Sequence, residues 1–300
     1  MFGIKGSILA LRGGLTAAAV AMALLVPAGT AAAAEAMDHQ IEHQDWSFAG
    51  LFGHFDKAQL QRGYKVYKEV CAGCHGMRLL SFRNLAEPGG PGFTEEAVKA
   101  LAAEYEYDDL ADDGSVVKRP GRPSDHFKSP FANSKEAATV NNGAVPPDLS
   151  VIAKARSVHA EMPFYMEPVK WVREIATGYQ EGGPDYIHAL LTSYHDEVPA
   201  GMTTAEGKPF VLADGMNFNT AFPGFQIAMP KPISDGQVEY TDGAAQTVEQ
   251  YSRDVSAFLM WAAEPHLEAR KALGLRVLIY LIILAALLFL AKRVIWSRVH

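Results

Sequence analysis

The chain has 300 residues and carries 34 acidic against 27 basic side chains, a formal net charge of −7. This length allows one sizeable domain with appendages, and the acidic balance argues against nucleic acid as a partner and favours a basic protein. Cys71 and Cys74 are the only cysteines, so a framework of several disulfides is excluded and packing or a bound group must stabilise the fold.

The amino terminus has the pattern of a secretory signal peptide. Lys5 and Arg12 form a positive region, residues 15–26 form a short apolar run, and residues 31–34 offer a small-residue cleavage site. A retained membrane helix is the alternative, but the run is short for a span. Cleavage of residues 1–34 would leave 34 acids against 25 bases, a charge of −9, on an exported domain.

A polar segment precedes the first predicted helix. Residues 35–55 contain irregularly spaced histidines, which indicates a surface arm rather than a metal site. Asp56 is predicted to cap a helix, and Gly63 within it costs about 1 kcal/mol relative to alanine, which a close helix–helix approach would explain. The apolar residues recur at helical spacing along one face, and they are Leu60, Tyr64, Tyr67 and Cys71.

The pentapeptide Cys71-Ala72-Gly73-Cys74-His75 is the attachment signature of a c-type haem. One backbone turn can present both sulfurs to one porphyrin edge, and the adjacent histidine can then ligate the iron. The alternatives are a redox dithiol, half of a zinc site and a structural disulfide. A zinc site needs two more ligands at short spacing and no second CxxC exists, while a redox dithiol would begin a helix that Cys71 instead ends. We predict one covalently bound haem c, with His75 as an axial ligand.

An acidic run follows a predicted helix at residues 95–105. The acidic run (residues 104–113) contains Glu104, Glu106, Asp108, Asp109, Asp112 and Asp113. Such a run is often only a solvated face. Because a diffusing basic redox partner is captured by charge steering, we treat the acidic run as a candidate docking surface.

Residues 141–150 read Asn-Asn-Gly-Ala-Val-Pro-Pro-Asp-Leu-Ser. Two adjacent prolines exclude a helix and fix the backbone angles. A rigid apolar segment of this kind suits the edge of a haem, although an ordinary proline-rich turn has the same pattern. Asp148 or Ser150 is predicted to cap a following helix that contains Arg156.

Regular structure is harder to predict in the middle of the chain. Helical stretches are expected at residues 169–175 and 186–194, and the Gly- and Pro-rich residues 199–232 are expected to be irregular. Thr247 is predicted to cap a helix that ends before Pro265. Its apolar residues form one buried face, and they are Val248, Tyr251, Val255, Phe258 and Ala262.

The carboxy-terminal segment has the composition of a membrane span rather than of a core helix. Residues 277–291 carry no charge, and Arg276 just before them can reach the head groups. The cations that follow mark the cytoplasmic side, and they are Lys292, Arg293 and Arg298. We expect a periplasmic haem domain over residues 35–268. An anchor over residues 269–300, spanning the membrane at about 273–291, ends in a short cytoplasmic tail.

The second axial position of the iron decides its chemistry. An open position permits ligand or peroxide chemistry, whereas methionine sulfur closes it, raises the potential and suits electron transfer. Among the methionines, Met229 has the most suitable setting, because it lies far downstream in a non-helical apolar loop next to Pro230. Methionine is also a common core filler, so the residues alone leave both roles open.

Taken together, the motifs resemble those of the cytochrome c1 family, the haem subunit of ubiquinol–cytochrome c oxidoreductase. The resemblance covers nearly all of residues 50–300, with the motifs in order. They are CAGCH after Tyr-Lys-Val-Tyr-Lys, residues 141–150, Asp185-Tyr186 before Leu-Leu-Thr, Ile-Ala-Met-Pro at residues 227–230, Phe-Leu-Met-Trp-Ala-Ala-Glu-Pro at residues 258–265, and the anchor.

The resemblance implies a mainly α, cytochrome c-like haem domain with long loop insertions and one C-terminal transmembrane helix. It makes Met229 the second axial ligand. The residues that it places around the haem are Asn141, Pro146 and Pro147, with Arg156 and Tyr186 near the propionates, where a guanidinium offers paired donors to a carboxylate. The segment between Arg156 and Tyr186 is longer than in mitochondrial relatives, which puts their pairing in doubt.

The implied function is electron transfer rather than catalysis by this chain alone. One electron would pass from a Rieske iron–sulfur subunit through haem c to a mobile cytochrome c, in a dimeric complex with cytochrome b at the bacterial inner membrane. The alternatives are a haem c anchor subunit of a terminal oxidase or nitric oxide reductase, and an exported peroxidase with an open iron site.

Overall fold

The computed structural model describes residues 41–156, 164–166, 168–169, 182–203 and 207–297. The predicted signal peptide and most of the predicted helix at residues 169–175 lie outside this part of the chain.

The fold is mainly α, as the sequence predicts, with long loops between short elements. The helices are α1 (Lys57–Glu69), α2 (Glu95–Ala103), α3 (Ser134–Val140), α4 (Ile152–Ala155), α5 (Gly182–Thr192), α6 (Val248–Ala263) and α7 (Leu267–Trp296). Short 3-10 helices cover Cys71–Gly73, Phe82–Ala86 and Phe164–Met166. Two antiparallel pairs complete the described elements: β1 (Glu106–Leu110) with β2 (Val116–Pro120), and β3 (Asn217–Phe218) with β4 (Gln226–Ile227).

Helices α1 and α6 form the centre of the domain, and both begin where the sequence predicts. Asp56 caps α1 by accepting from the amides of residues 58 and 59, and Thr247 caps α6 through the amide of residue 250. A Cβ at Gly63 would lie 2.1 Å from the carbonyl oxygen of Asp254. The close approach of the two helices therefore requires glycine at this position. This is the helix–helix approach expected from the free-energy cost of a glycine within α1.

A buried ion pair joins the same two helices. The Arg62 guanidinium donates to both carboxylate oxygens of Asp254, at 2.8 and 3.2 Å, and to Asp242 at 2.7 Å. The Asp254 side chain is completely buried, whereas Asp242 is 42% exposed. Burial acts to lower the pKa of Arg62, but its hydrogen bonds to the two carboxylates outweigh this and raise it, so the buried carboxylate keeps its counter-charge.

Aromatic side chains connect this helix pair to the end of α1. Tyr64 and Tyr67, on the predicted stripe, make ring contacts with Phe258 of α6 at 5.7 and 5.9 Å between centroids. Both also contact Phe127, which stacks on Phe82 at 4.4 Å. The residues that follow α1 are thus held on a packed aromatic base.

The second half of the domain is built on α5. This helix packs against α6 and α4, and it begins at Gly182, four residues earlier than predicted. Residues 199–232 are irregular as predicted, apart from the two-residue strands β3 and β4 where the structure describes them.

The prediction of a surface arm is wrong for residues 46–55. Trp46 and Phe48 are 5% and 2% exposed, and Phe55 is also buried in the core. The Trp46 indole donates to Asp185 of α5 at 2.6 Å. The prediction rested on the polar residues of this segment. Its three aromatic residues pack it into the domain.

The acidic run is also different from its prediction. Helix α2 ends at Ala103, and residues 106–110 form β1 of a hairpin in which Tyr107 pairs with Arg119. Cations neutralise several of its carboxylates: Glu104 binds Lys68 at 2.7 Å, Asp109 binds Arg119 at 2.6 Å, and Asp108 binds Lys118. Side chains of a strand alternate between its two faces, so cations of β2 lie beside carboxylates of β1. This hairpin was not predicted from the sequence.

Helix α7 is the one helix among the described residues that is long and apolar enough to cross a membrane. Its side chains beyond Leu267 are largely exposed, including Leu281 and Phe289. At 1.5 Å per residue its 30 residues extend about 45 Å, more than the roughly 30 Å of a bilayer's hydrocarbon core.

A carboxylate network fixes the junction between α6 and α7. Glu264 accepts from Lys154 of α4 at 2.7 Å and from Arg270 of α7. Burial acts to raise the pKa of Glu264, but hydrogen bonds from the two cations lower it on balance. Three helices therefore meet at one ionised side chain.

We expect Asp254→Asn to destabilise the protein by about 3 kcal/mol, because it leaves the Arg62 charge without its buried partner. Thermal unfolding followed by circular dichroism measures the loss. Asp242→Asn is the matched control, since this exposed pair is worth about 1 kcal/mol or less. Equal effects of the two variants would show that the buried contact does not hold α1 on α6.

We expect Glu264→Gln to lower stability at neutral pH by about 1.5 kcal/mol, the range for hydrogen bonds to charged groups. Because the folded-state pKa is depressed, this contribution is complete above the ordinary value of 4.5 and is lost as pH falls through the lowered pKa. The variant and the unmodified protein should therefore converge in acid in unfolding titrations. The control Glu69→Gln, with an exposed 3.8 Å pair to Lys65, should be neutral throughout, and a constant difference for Glu264→Gln would contradict the assignment.

Candidate functional site

The two cysteines lie on one tight turn that directly follows α1. The amides of Cys74 and His75 both donate to the carbonyl oxygen of Cys71, at 3.1 and 2.9 Å. The thiols are not joined to each other; Cys71 is half-buried and Cys74 is exposed. One edge of a planar ligand can therefore meet both sulfurs from the same side.

The environment of Cys71 favours uncharged sulfur. Desolvation raises the pKa of this thiol to about 12, whereas a redox-active or zinc-binding cysteine needs its thiolate. A thioether carries no charge, so a covalent bond to a porphyrin side chain suits this setting. Among the described residues, no group of three or more His, Cys, Asp and Glu side chains is arranged to hold a metal ion.

The ring of His75 is oriented by the proline-rich segment. Its Nδ1 lies 2.8 Å from the carbonyl oxygen of Pro147. A carbonyl oxygen only accepts, so Nδ1 carries the proton and the lone pair lies on Nε2. Burial also lowers the pKa of His75, which favours the neutral imidazole that ligates iron.

Residues 146–150 are fastened to the residues after the motif by three hydrogen bonds. Leu149 donates its amide to Gly76 at 2.8 Å, and the amides of Arg78 and Leu79 donate to Asp148 and Ser150, both at 3.0 Å. These side chains therefore do not cap the next helix, and that prediction is wrong. Asp148 also accepts from the amide of Ser150 at 2.9 Å, and this Asp-x-Ser turn was a usable sequence signal.

Arg156 lies at the end of α4, a helix of only four residues. Burial raises the pKa of Tyr186 on α5, and the positive charge of Arg156 opposes that rise. The charge of Arg156 therefore acts on the Tyr186 hydroxyl, and the pairing of these two side chains at the propionates stays a prediction.

The Met229 loop is fixed to α5. Tyr194 donates its hydroxyl to the carbonyl oxygen of Met229 at 3.1 Å, and Asn219 donates its amide to Leu190 at 2.8 Å. Met229 itself is partly buried and packs against the core. Tyr194 was not among the predicted site residues, because a lone tyrosine gives no signal in the sequence.

Asn141 and Pro146 are less directly connected to the motif. The Asn141 side chain donates to the carbonyl oxygen of Ala137 at 2.7 Å, within the end of α3, and it is half-buried. Pro146 is also half-buried, beside the exposed Pro147 that binds His75. Asn141 thus terminates α3 before the chain turns, through the positive φ of Asn142 and Gly143, toward the prolines.

A cavity lies beside the cysteine turn. It has a volume of about 230 Å³, and it is lined by Tyr67, Ala72, Tyr105, Phe127, Lys128, Ser129 and Pro130. The three aromatic rings suit a porphyrin face. Two cysteines on one turn and an oriented imidazole with Nε2 available fit a covalently attached haem.

Comparison with known proteins gives the same assignment. Residues 46–299 match the model of the Cytochrome C1 family. The chain is 47% identical to "Cytochrome b/c1" of Bradyrhizobium diazoefficiens over 99% of its length, although it spans only 42% of that relative. It is 42% identical to "Cytochrome c1" of Rhodospirillum rubrum, covering 94% of this chain and 97% of the relative.

A eukaryotic relative shows the same likeness. "Cytochrome c1, heme protein, mitochondrial" of Schizosaccharomyces pombe is 40% identical, over 87% of this chain and 73% of the relative. The family match covers the cysteine turn, the proline-rich segment, the Met229 loop and α7 together. The chain belongs to the cytochrome c1 family.

Proposed function

We propose that the chain is the electron-transfer subunit of a cytochrome bc1 complex, and that it holds one covalent haem c. The observation that carries the proposal is the His75 ring, whose Nδ1 is committed to Pro147 at 2.8 Å, beside two cysteines on one turn. Membership of the cytochrome c1 family assigns this geometry to electron transfer rather than to a terminal oxidase subunit or a peroxidase.

When bound, the haem supplies a reversible one-electron step at its iron. The residues of the chain determine its environment. Cys71 and Cys74 would tether it through thioether bonds, His75 would ligate the iron through Nε2, and Arg156 with Tyr186 would meet the propionates.

Met229 is the proposed second axial ligand. Its loop is held by Tyr194, which follows α5, and by Asn219, which donates to Leu190 of α5. Helix α5 packs on α6, and α6 packs on the helix that leads to the cysteines. This continuous packing supports a fixed sulfur position. A thioether ligand raises the reduction potential and closes the iron to exogenous ligands, as a carrier requires.

The proposed assembly follows the family. The chain would take an electron from a Rieske iron–sulfur subunit, deliver it to a mobile cytochrome c, and pair with cytochrome b in a dimeric complex. Helix α7 would anchor it in the bacterial inner membrane, with the haem domain in the periplasm and the carboxy terminus in the cytoplasm. Purification of the native complex tests this: cytochrome b and a Rieske protein should co-purify, whereas a copper–haem oxidase subunit would contradict it.

The proposal that the acidic run docks a basic partner needs revision, because part of the run lies in a hairpin with cations. Residues 104–122 carry six acids but also three bases, and several of the acids are in ion pairs. No ion pair is found for Glu106 or Asp112 among the described residues. Asp113 also has no ion pair among these residues, although it accepts hydrogen bonds from Ser115. Steering of a basic cytochrome would therefore depend on these three carboxylates more than on the run as a whole.

We expect Met229→Leu to abolish the sulfur-to-iron charge-transfer band of the oxidised protein and to make the reduced protein bind carbon monoxide, because the sixth position opens. Absorption and carbon monoxide difference spectra measure both effects. Met216→Leu, at a residue 37% exposed, is the matched control and should change neither. Survival of the band in Met229→Leu would eliminate Met229 as the ligand.

We expect the triple variant Glu106→Gln, Asp112→Asn, Asp113→Asn to slow electron transfer to a basic cytochrome c and to reduce its dependence on ionic strength. Stopped-flow kinetics at several salt concentrations measure both. The control Asp108→Glu, Asp109→Glu keeps both charges on β1 and should change neither the rate nor its salt dependence. An unchanged salt dependence in the first variant would show that the acidic run does not steer the partner.

A further inference from the structure

A short loop before α1 has a closed, rigid geometry. The amide of His54 donates to the carbonyl oxygen of Ser47 at 2.9 Å, and the amide of Ala49 donates to Trp46 at 3.0 Å. A Cβ at Gly53 would lie 2.0 Å from the carbonyl oxygen of Ala49. The loop therefore closes tightly on itself, and we call residues 49–53, Ala-Gly-Leu-Phe-Gly, the apolar tip.

The base of the loop is buried, but the apolar tip is exposed. Phe48 is 2% exposed, and its ring packs on Trp46 and Phe55 at 5.4 and 4.9 Å. Leu51 and Phe52 are 52% and 73% exposed. Loop ends are usually formed by polar residues, so two adjacent large apolar side chains at the end of an anchored, closed loop indicate a surface that covers them.

The loop is attached to the first turns of α7. The amide of Phe55 donates to Glu268 at 2.8 Å. One turn further along α7, the Lys271 ammonium donates to the carbonyl oxygens of Phe48 and Gly53 at 2.6 and 3.5 Å. The loop therefore contacts α7 at Glu268 through Phe55 and, one turn nearer the apolar part of α7, at Lys271 through Gly53, which is one end of the apolar tip.

These contacts place the loop at the level where α7 would enter a membrane. Lys271 comes two residues before the span predicted at residues 273–291. Apolar side chains presented on a fixed support partition into the boundary between head groups and acyl chains. We propose that Leu51 and Phe52 insert into this boundary of the periplasmic leaflet, so that the haem domain contacts lipid at a second place beside α7.

The inserted tip would orient the domain. A single helix leaves a domain free to tilt and rotate about its entry point, whereas a second contact on a rigid loop removes part of that freedom. The tip continues into Phe55, which directly precedes the cap of α1, and α1 leads to the cysteine turn. The inference rests on the membrane anchorage by α7 given under Proposed function.

The test places one new cysteine at Leu51→Cys or Phe52→Cys in the full chain, purified in its complex. Each is labelled with an environment-sensitive fluorophore and reconstituted into vesicles of phosphatidylcholine and phosphatidylglycerol. Quenching by doxyl-labelled phosphatidylcholine reports lipid, and quenching by iodide reports water. Leu281→Cys in α7 is the lipid control, Val211→Cys, 76% exposed, is the water control, and the labelled unsubstituted complex gives the background.

We expect both tip positions to be quenched by the doxyl lipid, with several-fold less iodide quenching than at position 211. Iodide quenching equal to that at position 211 would overturn the proposal. Protection from both quenchers would also overturn it, because a neighbouring protein would then cover the tip. Absence of lipid quenching at position 281 would refute the anchorage itself and this inference with it, whereas lipid quenching at 281 alone would refute the tip only.

Discussion

The hydrogen bond between His75 Nδ1 and the Pro147 carbonyl oxygen is the contact on which the functional site depends. It joins two segments about seventy residues apart in the chain, at 2.8 Å. It fixes the tautomer and the direction of the ring, so that Nε2 is available to a metal. The two prolines matter because they hold that carbonyl group in place, while the amide bonds to Asp148 and Ser150 hold the prolines against the motif.

The rest of the domain keeps this contact and the Met229 loop in register. Helix α1 ends at the cysteine turn and is held against α6 by a glycine contact and a buried ion pair. Helix α5 packs on α6, and Tyr194, two residues beyond the end of α5, fixes the carbonyl group of Met229. Rigid support of this kind would let the proposed ligands from distant parts of the sequence act on one iron, with little rearrangement between its redox states.

Local signals in the sequence predicted much of this arrangement. The CxxCH motif, the caps Asp56 and Thr247, the role of Gly63 and the apolar face of α6 depend on short spacings with direct physical causes. The motif identified Cys71, Cys74 and His75, and the family resemblance identified Met229; their bonds to haem remain predictions.

The errors arose where long-range contacts decide the structure. The segment before α1 looked polar, yet three aromatic residues anchor it to α5 and α7. The acidic run looked like a solvated face or a docking surface, yet several of its carboxylates pair with cations, two of them on the neighbouring strand. Asp148 and Ser150 looked like helix caps, but they bind amides some seventy residues upstream. Composition reports none of these partners, because the fold brings each pair together.

The pyridine haemochrome assay on the purified chain, combined with alkylation of its thiols, tests the central claim most directly. We predict the spectrum of one haem bound through two thioethers per chain, with Cys71 and Cys74 both resistant to alkylation after denaturation. A colourless polypeptide in which both thiols react would contradict the account.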